Sequence, residues 1–420
     1  MASKVVNGLK TIRNNWKKTV FAAGLSLWGY NWYQGRSADA ELRRQYCLEA
    51  KSYGDVGLGR SQRPTKVTVF LNPAAKDGKA RKLFEKNVFP LLSLAGYEVA
   101  VIKTEYEGQA KKYMEAIEKE DCDIVLVAGG DGTLQEVITG LLRRKDLDDK
   151  PLYKTLPIGI LPVGETNNFA SLLFGYHRSK EHVKFLVEST MAVIKGATKL
   201  VDVLHVQGDD EKSVYALSGL EWGKYKETEE YYKGIWFLGP IRRRWAYIKH
   251  AVFSREWPLE VVADVTYSNP CSGCNKCRQP PEWKWWHILS KPRYEDFSKV
   301  VNEDCGVEYS SKINGLQFTA KSSNFDPQNV AKAIETEVHP TLSRTAFIQQ
   351  GWKKIEKKPY ESCGTESKQR VGKLSIQPEV KQEAEEWFHI DGEQFEAKPI
   401  QISVLRDKLH FFCPPQPVGS

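Results

Sequence analysis

The chain has 420 residues, is 41% hydrophobic and carries a formal charge of +8. That length suits two domains and a short extension, and eight scattered cysteines do not form the framework of a small disulfide-stapled secreted domain. Lys4, Lys10, Arg13, Lys17, Lys18 and Arg36 precede the first acid, Asp39, leaving 55 basic against 53 acidic residues behind them. So neutral a body argues against a nucleic-acid binder, which shows a basic face.

Residues 1–64 read as a basic, aromatic leader and linker. Its apolar run, Thr19 to Tyr33, is short of the roughly 20 residues that cross a bilayer as a helix. Trp16, Trp28, Trp32 and Tyr33 suit a membrane interface. An acid-free basic leader also resembles a mitochondrial targeting sequence. Three readings stand: a retained interfacial anchor, a cleaved presequence and a secretory signal. The polar stretch from 34 to 65 reads as a linker.

From 65 to 197 strands and helices alternate. Val67–Leu71, Val99–Lys103, Asp123–Ala128 and Ile158–Val163 are strand runs, and the third is almost wholly apolar, as in a strand covered on both faces. Helices are expected over Lys79–Leu94, Gly108–Glu118 and Thr133–Arg144. The pattern predicts a doubly wound parallel sheet.

From 198 to 420 the texture becomes that of an antiparallel β-sandwich. Short runs such as VYALSGLEW, LEVVADVTY, AFIQQGW, KLSIQ, WFHIDGE and IQISVL lie between turn signals. An insertion at about 268–311 shows no period. It holds Cys271, Cys274 and Cys277. Cys305 and His287 would complete a zinc set, but a variable loop containing cysteines is the reading preferred here. The stretch Gly239 to Trp257 is either a solvated helix or a surface for anionic lipid.

The motif that carries chemistry is Gly129-Gly130-Asp131-Gly132-Thr133, between the third strand and its helix. Glycines let backbone N–H groups approach a phosphate, and the helix adds its positive end. Open α/β sheets bind ligands at this edge. Asn72-Pro73, with Lys76, Lys79 and Arg81 after it, and Gly164-Glu165-Thr166-Asn167-Asn168 end the first and fourth strands at the same edge. Asp391-Gly392-Glu393 reads as a tight hairpin turn or as carboxylates returning to that cleft.

Together these motifs resemble the lipid-kinase family that includes the diacylglycerol, sphingosine and ceramide kinases. VFLNPAA, KTEYEGQAKK, VAGGDGTLQEV, PVGETNN and the ending KLHFFC fit its acylglycerol branch. The second loop departs from the family's Gly-Thr/Ser-Gly-Asn-Asp, with Glu165 close to where phosphates would lie and Asn168 in place of an acid. The resemblance implies ATP and Mg²⁺ as cofactors. Asn72, Thr104, Gly129, Gly130, Gly132 and Thr133 would contact the nucleotide, with Gly164, Thr166 and Asn167 alongside. It further implies Asp131, Asp391 and Glu393 as catalytic carboxylates, with Asp131 or Asp391 as the base, and Glu227 against the lipid headgroup. The reaction implied is γ-phosphoryl transfer to monoacylglycerol or diacylglycerol at the mitochondrial inner membrane, facing the intermembrane space. An assembly role beside the carrier translocase of that membrane is the alternative implied.

Overall fold

A computed structural model describes residues 15–56, 63–144, 152–175, 182–208, 213–254, 257, 260–278, 297–324, 333–356, 367–379 and 386–414. His287, Cys363 and the first fourteen residues lie outside them.

The first described element is one helix, α1 (Trp16–Gly54). It runs through the stretch read as a linker, because its second half has a body to pack on. Ala50 is fully buried, Tyr46 and Cys47 join the core beside it, and Lys195 pairs with Glu49 at 2.8 Å. At 1.5 Å per residue the helix is about 58 Å long. Its first half keeps Val20, Phe21, Leu27, Trp28 and Tyr33 more than 60% exposed. Among the described residues no helix is long and apolar enough to cross a membrane.

The α/β part follows as β1 (Lys66–Leu71), α2 (Ala75–Gly78), α3 (Ala80–Asn87), α4 (Phe89–Leu94), β2 (Glu98–Lys103), α5 (Gln109–Ala116), β3 (Ile124–Gly129), α6 (Asp131–Arg143), β4 (Ile158–Pro162), α7 (Asn168–Phe174) and α8 (His182–Lys195). The single helix expected over 79–94 is broken at Val88, since Pro90 has no backbone N–H to donate within an unbroken helix. Every residue of β3 is buried, with α5 and α6 covering one face and α3, α4 and α8 the other.

Beyond it run β5 (Thr198–Gly208), β6 (Val214–Ala216), β7 (Gly219–Gly223), α9 (Lys224–Gly234), α10 (Arg242–Phe253), β8 (Val261–Ser268), β9 (Glu308–Gly315), β10 (Gln317–Ser322), β11 (Ile334–His339), α11 (Arg344–Glu356), β12 (Ser367–Val371), β13 (Lys373–Pro378), β14 (Trp387–Ile390), β15 (Glu393–Glu396) and β16 (Ile400–Phe412). AFIQQGW, expected as a strand, lies in α11. Phe347 and Gly351 are four residues apart on one helix face, and both are buried against Tyr247.

Two sheets form. In the first, β2-β1-β3-β4 are parallel, and β16 carries the sheet on to β13, β8 and β9, with β5 and β6 alongside. The join is the pairing of Phe411 with Ile158. The second sheet, β12-β11-β10-β7-β14-β15, is antiparallel. Val265, Ile376 and Ile402 of the first pack against Trp222, Phe318 and Phe388 of the second. The antiparallel sandwich expected in the C-terminal part therefore forms, and it hangs from the same sheet as the α/β part.

Candidate active site

The carboxyl ends of β1, β2, β3 and β4 lie on one edge, which brings Asn72, Thr104, Gly129 and Gly164 together. Asn72 donates to Ala128 O through its backbone and, at 3.3 Å, to Thr133 Oγ1 through its amide. The backbone N–H of Thr104 donates to Leu71 O, so Thr104 sits one strand further out. The two glycine loops touch backbone to backbone. A Cβ on Gly130 would meet Thr166 O at 2.7 Å, and one on Gly164 would meet Gly130 Cα at 2.3 Å. Nothing larger than glycine fits either place. Asn167 closes the second loop, its amide donating to Gly164 O and accepting from Gly164 N.

Helix α6 starts here with no side-chain cap; Asp131 N–H donates to Thr166 O, which leaves the first-turn N–H groups of Gly132 and Thr133 and the positive end of the helix for an anion. Lys76 acts on His182 beside Pro162 at the end of β4, and has a left-handed backbone conformation (φ 53°). Burial and the neighbouring Lys79 lower its pKa, which marks a region of positive potential. Arg81, by contrast, pairs with Glu85 and faces solvent. Uncapped N–H groups, an amide and two cations fit a polyphosphate. Glu165 of the departing loop is exposed, and its charge reaches Tyr232 of α9.

The Asp391-Gly392 pair is a two-residue hairpin turn between Ile390 and Glu393, with φ positive at both residues. The turn sits on the glycine loops. Glu393 Oε1 lies 3.4 Å from where a Gly132 Cβ would be, and Thr166 Oγ1 lies 3.9 Å from the same position on Gly392. The hairpin and the cleft readings of this motif describe the same turn.

The two aspartates expected as alternative bases both accept backbone N–H bonds. Asp131 accepts backbone N–H bonds from Asn168 at 2.9 Å and Phe169 at 3.2 Å, tying the first loop to the start of α7. Asp391 accepts from Leu217, Ser218 and Gly219 at 2.6, 2.9 and 2.9 Å. Burial pushes Asp391 up to about 7 against those donors, and the Asp131 charge adds to the rise. Burial likewise raises Asp131. Their oxygens are held by backbone, which is a positioning arrangement. Glu393 makes no hydrogen bond to another described residue. Burial first, then Glu136 and Glu107, raise it to about 8.

Glu227 is half-buried and pairs with Lys224. The residue that sequence reasoning missed is its neighbour Lys226, only 6% exposed, ringed by Glu221 at 3.5 Å, Glu229 at 3.8 Å and Glu230 at 3.9 Å. Its charge also acts on Asp131 and on buried His389. A glutamate-rich stretch draws the eye to its acids, yet the buried Lys226 among them is the informative residue. Cys271, Cys274, Cys277 and Cys305, read as a variable loop, converge instead, with all four sulfurs within 4.8 Å of one another.

The model of the diacylglycerol kinase catalytic domain matches residues 66–206, and that of the acylglycerol kinase C-terminal region matches 217–418. A putative diacylglycerol kinase from Bacillus anthracis shares the fold. Its TM-score is 0.52 at 18% identity, covering 84% of this chain and 99% of that one. The mitochondrial acylglycerol kinase of Homo sapiens is 36% identical over 97% of this chain and 96% of its own length. That of Xenopus laevis is 35% identical over 98% and 96%. Sphingosine kinase 1 of Arabidopsis thaliana is 32% identical over 44% of this chain and 36% of its own. The chain belongs to the acylglycerol kinase family and is an ATP-dependent lipid kinase.

Proposed function

We propose that the chain transfers the γ-phosphoryl group of ATP to the hydroxyl of a monoacylglycerol or diacylglycerol, giving lysophosphatidic or phosphatidic acid. The observation that carries the reading is the Glu393 carboxylate poised over Gly132 at the uncapped start of α6. The phosphates lie against the N–H groups of the Gly129–Thr133 loop, Asn72 and Lys76. The lipid hydroxyl oxygen attacks the γ-phosphorus, the bond to the ADP oxygen breaks, and Glu393 takes the hydroxyl proton. With its pKa raised to about 8, Glu393 is largely protonated at neutral pH, and the ionised fraction that takes the proton is a stronger base than an ordinary glutamate. Asp131 and Asp391 hold the loops that frame the reaction. Mg²⁺ would be held by the phosphates, with Glu136 and Glu107, whose charges act on Glu393, as nearby carboxylates that could contribute hard oxygen ligands, and it would neutralise charge developing in transfer.

Two surfaces support action at a membrane, and the relatives' shared name points to a mitochondrial one. One is the aromatic first half of α1. The other is the turn before α10 and α10 itself, where Trp236, Phe237, Ile241 and Phe253 are each more than 60% exposed beside Arg242, Arg243 and Arg244. We place both against an anionic bilayer, the mitochondrial inner membrane on its intermembrane-space side. Transfer of labelled phosphate from ATP to acylglycerol vesicles tests the reading. The wild-type chain labels the lipid, and failure with both acylglycerols would overturn it.

A further inference from the structure

We propose that Cys271, Cys274, Cys277 and Cys305 bind one zinc ion in a closed, structural site on the β-sandwich. Geometry makes the case. Zinc–thiolate bonds are about 2.3 Å, so the edges of a ZnS₄ tetrahedron are about 3.8 Å. Cys274 and Cys277 sulfurs are 3.7 Å apart, Cys277 and Cys271 sulfurs are 3.7 Å apart, and none of the four lies more than 4.8 Å from another. A disulfide would bring a pair to about 2.05 Å, and these cysteines are free.

The surroundings are those of ligands held for a metal. The backbone N–H groups of Lys276 and Cys277 point at the Cys274 sulfur, as in a tight turn wrapped around an ion. Asn302 donates its amide to Cys271 Sγ at 3.3 Å, fixing that sulfur from outside the ligand set. The loop itself is anchored. Arg406 of β16 donates to Ser272 O at 3.1 Å and to Cys271 O, and Asn275 N donates to Val300 O at 3.0 Å. Gly273 has φ +145°, and a Cβ there would strike the Phe297 ring at 2.5 Å, so the turn between the first two ligands needs glycine.

Four thiols each lose a proton to solvent as the ion binds, leaving a tetrathiolate of net charge −2 that the Arg406 guanidinium and the Lys276 ammonium offset. Soft thiolates in a tetrahedron select zinc or iron among common metals, and a closed set with no free position suits structural zinc. The consequence is topological. Cys277 and Cys305 are separated by 27 residues in the connection from β8 to β9, and the ion would pin both ends of that excursion to the sheet.

The test uses the full-length chain purified without chelator. Elemental analysis should return one zinc per chain and no iron. Cobalt(II) exchanged into the wild-type chain should show the strong visible bands of tetrahedral thiolate coordination. Cys274→Ser and Cys305→Ser should each lose the zinc and melt at lower temperature, while Cys47→Ser keeps both. Should the serine variants fail to fold, stepwise release of zinc from the wild-type chain by a thiol-blocking reagent gives the same stoichiometry. Iron in place of zinc, two disulfides in the unreduced protein, or a metal-free chain lacking the cobalt bands would each overturn the proposal.

Discussion

The two sides of the cleft are built from different materials. The α/β side offers backbone: uncapped N–H groups, glycines packed closer than any Cβ allows, and the end of a helix dipole. The sandwich side offers carboxylates, brought in on a two-residue turn. Backbone donors on a rigid sheet edge suit a group that stays negative throughout the reaction. A carboxylate with a raised pKa suits the one atom whose protonation changes. The proposed mechanism separates holding the phosphate from moving the proton, and assigns Asp131 and Asp391, which accept backbone N–H bonds, to the first task.

The sharpest break is Gly130→Glu. Its Cβ would meet Thr166 O and its charge the phosphates, so phosphoryl transfer should fall to background in the vesicle assay; measurable turnover would remove the loop from the site.

Glu393→Gln comes next. Loss of a general base typically costs about 10²–10⁴-fold, and here it should fall on kcat with nucleotide affinity kept. The same variant has a pH signature. Since the folded pKa is raised to about 8 from an ordinary glutamate value, the native chain holds a proton that the unfolded chain releases. Stability contributed by this group is therefore lost as pH rises from about 4.5 towards 8, and the Gln variant should flatten that slope in thermal melts. Equal pH slopes in the two proteins would place Glu393 in solvent.

Asp391→Asn keeps the shape but leaves one oxygen for three N–H donors. An orphaned buried donor costs about 1–3 kcal/mol, so the melting temperature should drop and turnover fall more than tenfold through displacement of Glu393. Asp131→Asn should do likewise with two donors. A large loss of kcat in either variant with unchanged stability would return the base role to an aspartate.

Removing residues 1–38 should have the smallest effect on the cleft. It spares the packed half of α1, so activity on a short-chain soluble acylglycerol should hold while activity on anionic vesicles falls several-fold, each basic residue near such a surface contributing about 1 kcal/mol. Unchanged vesicle activity would leave membrane contact to α10. Loss of translocase partners in pull-downs with vesicle activity intact would assign the leader to the assembly role.

What the sequence made legible follows from contiguity. Gly129 to Thr133, the buried strands and the Asp-Gly turn announce themselves within a few residues, because their physics is local. The partners of Asp131 and Asp391 sit 37 and more than 170 residues away, so no reading of the motifs alone shows that both carboxylates are already occupied. Helix α9 was missed for another reason. KYKETEEYYKG buries Tyr225, Lys226 and Thr228, which is no apolar stripe. Cys305 and His287 are both open in the sequence as partners of Cys271 to Cys277, and it is the pairing of β8 with β9 that carries Cys305 back to them.

The pairing of Phe411 with Ile158 has a further meaning for how the molecule is made. Leu409 and Phe411 of β16 belong to the core that also holds Val125, Val127 and Ile160, strands completed some 250 residues earlier in translation. The nucleotide half therefore emerges from the ribosome with one side of β4 unpaired and its core short of two large side chains. It must wait for the sandwich to be threaded before closing. A frameshift or stop that removes β16 would strip the α/β half of its neighbour as surely as it opens the sandwich, so damage near residue 400 should behave as a defect of both.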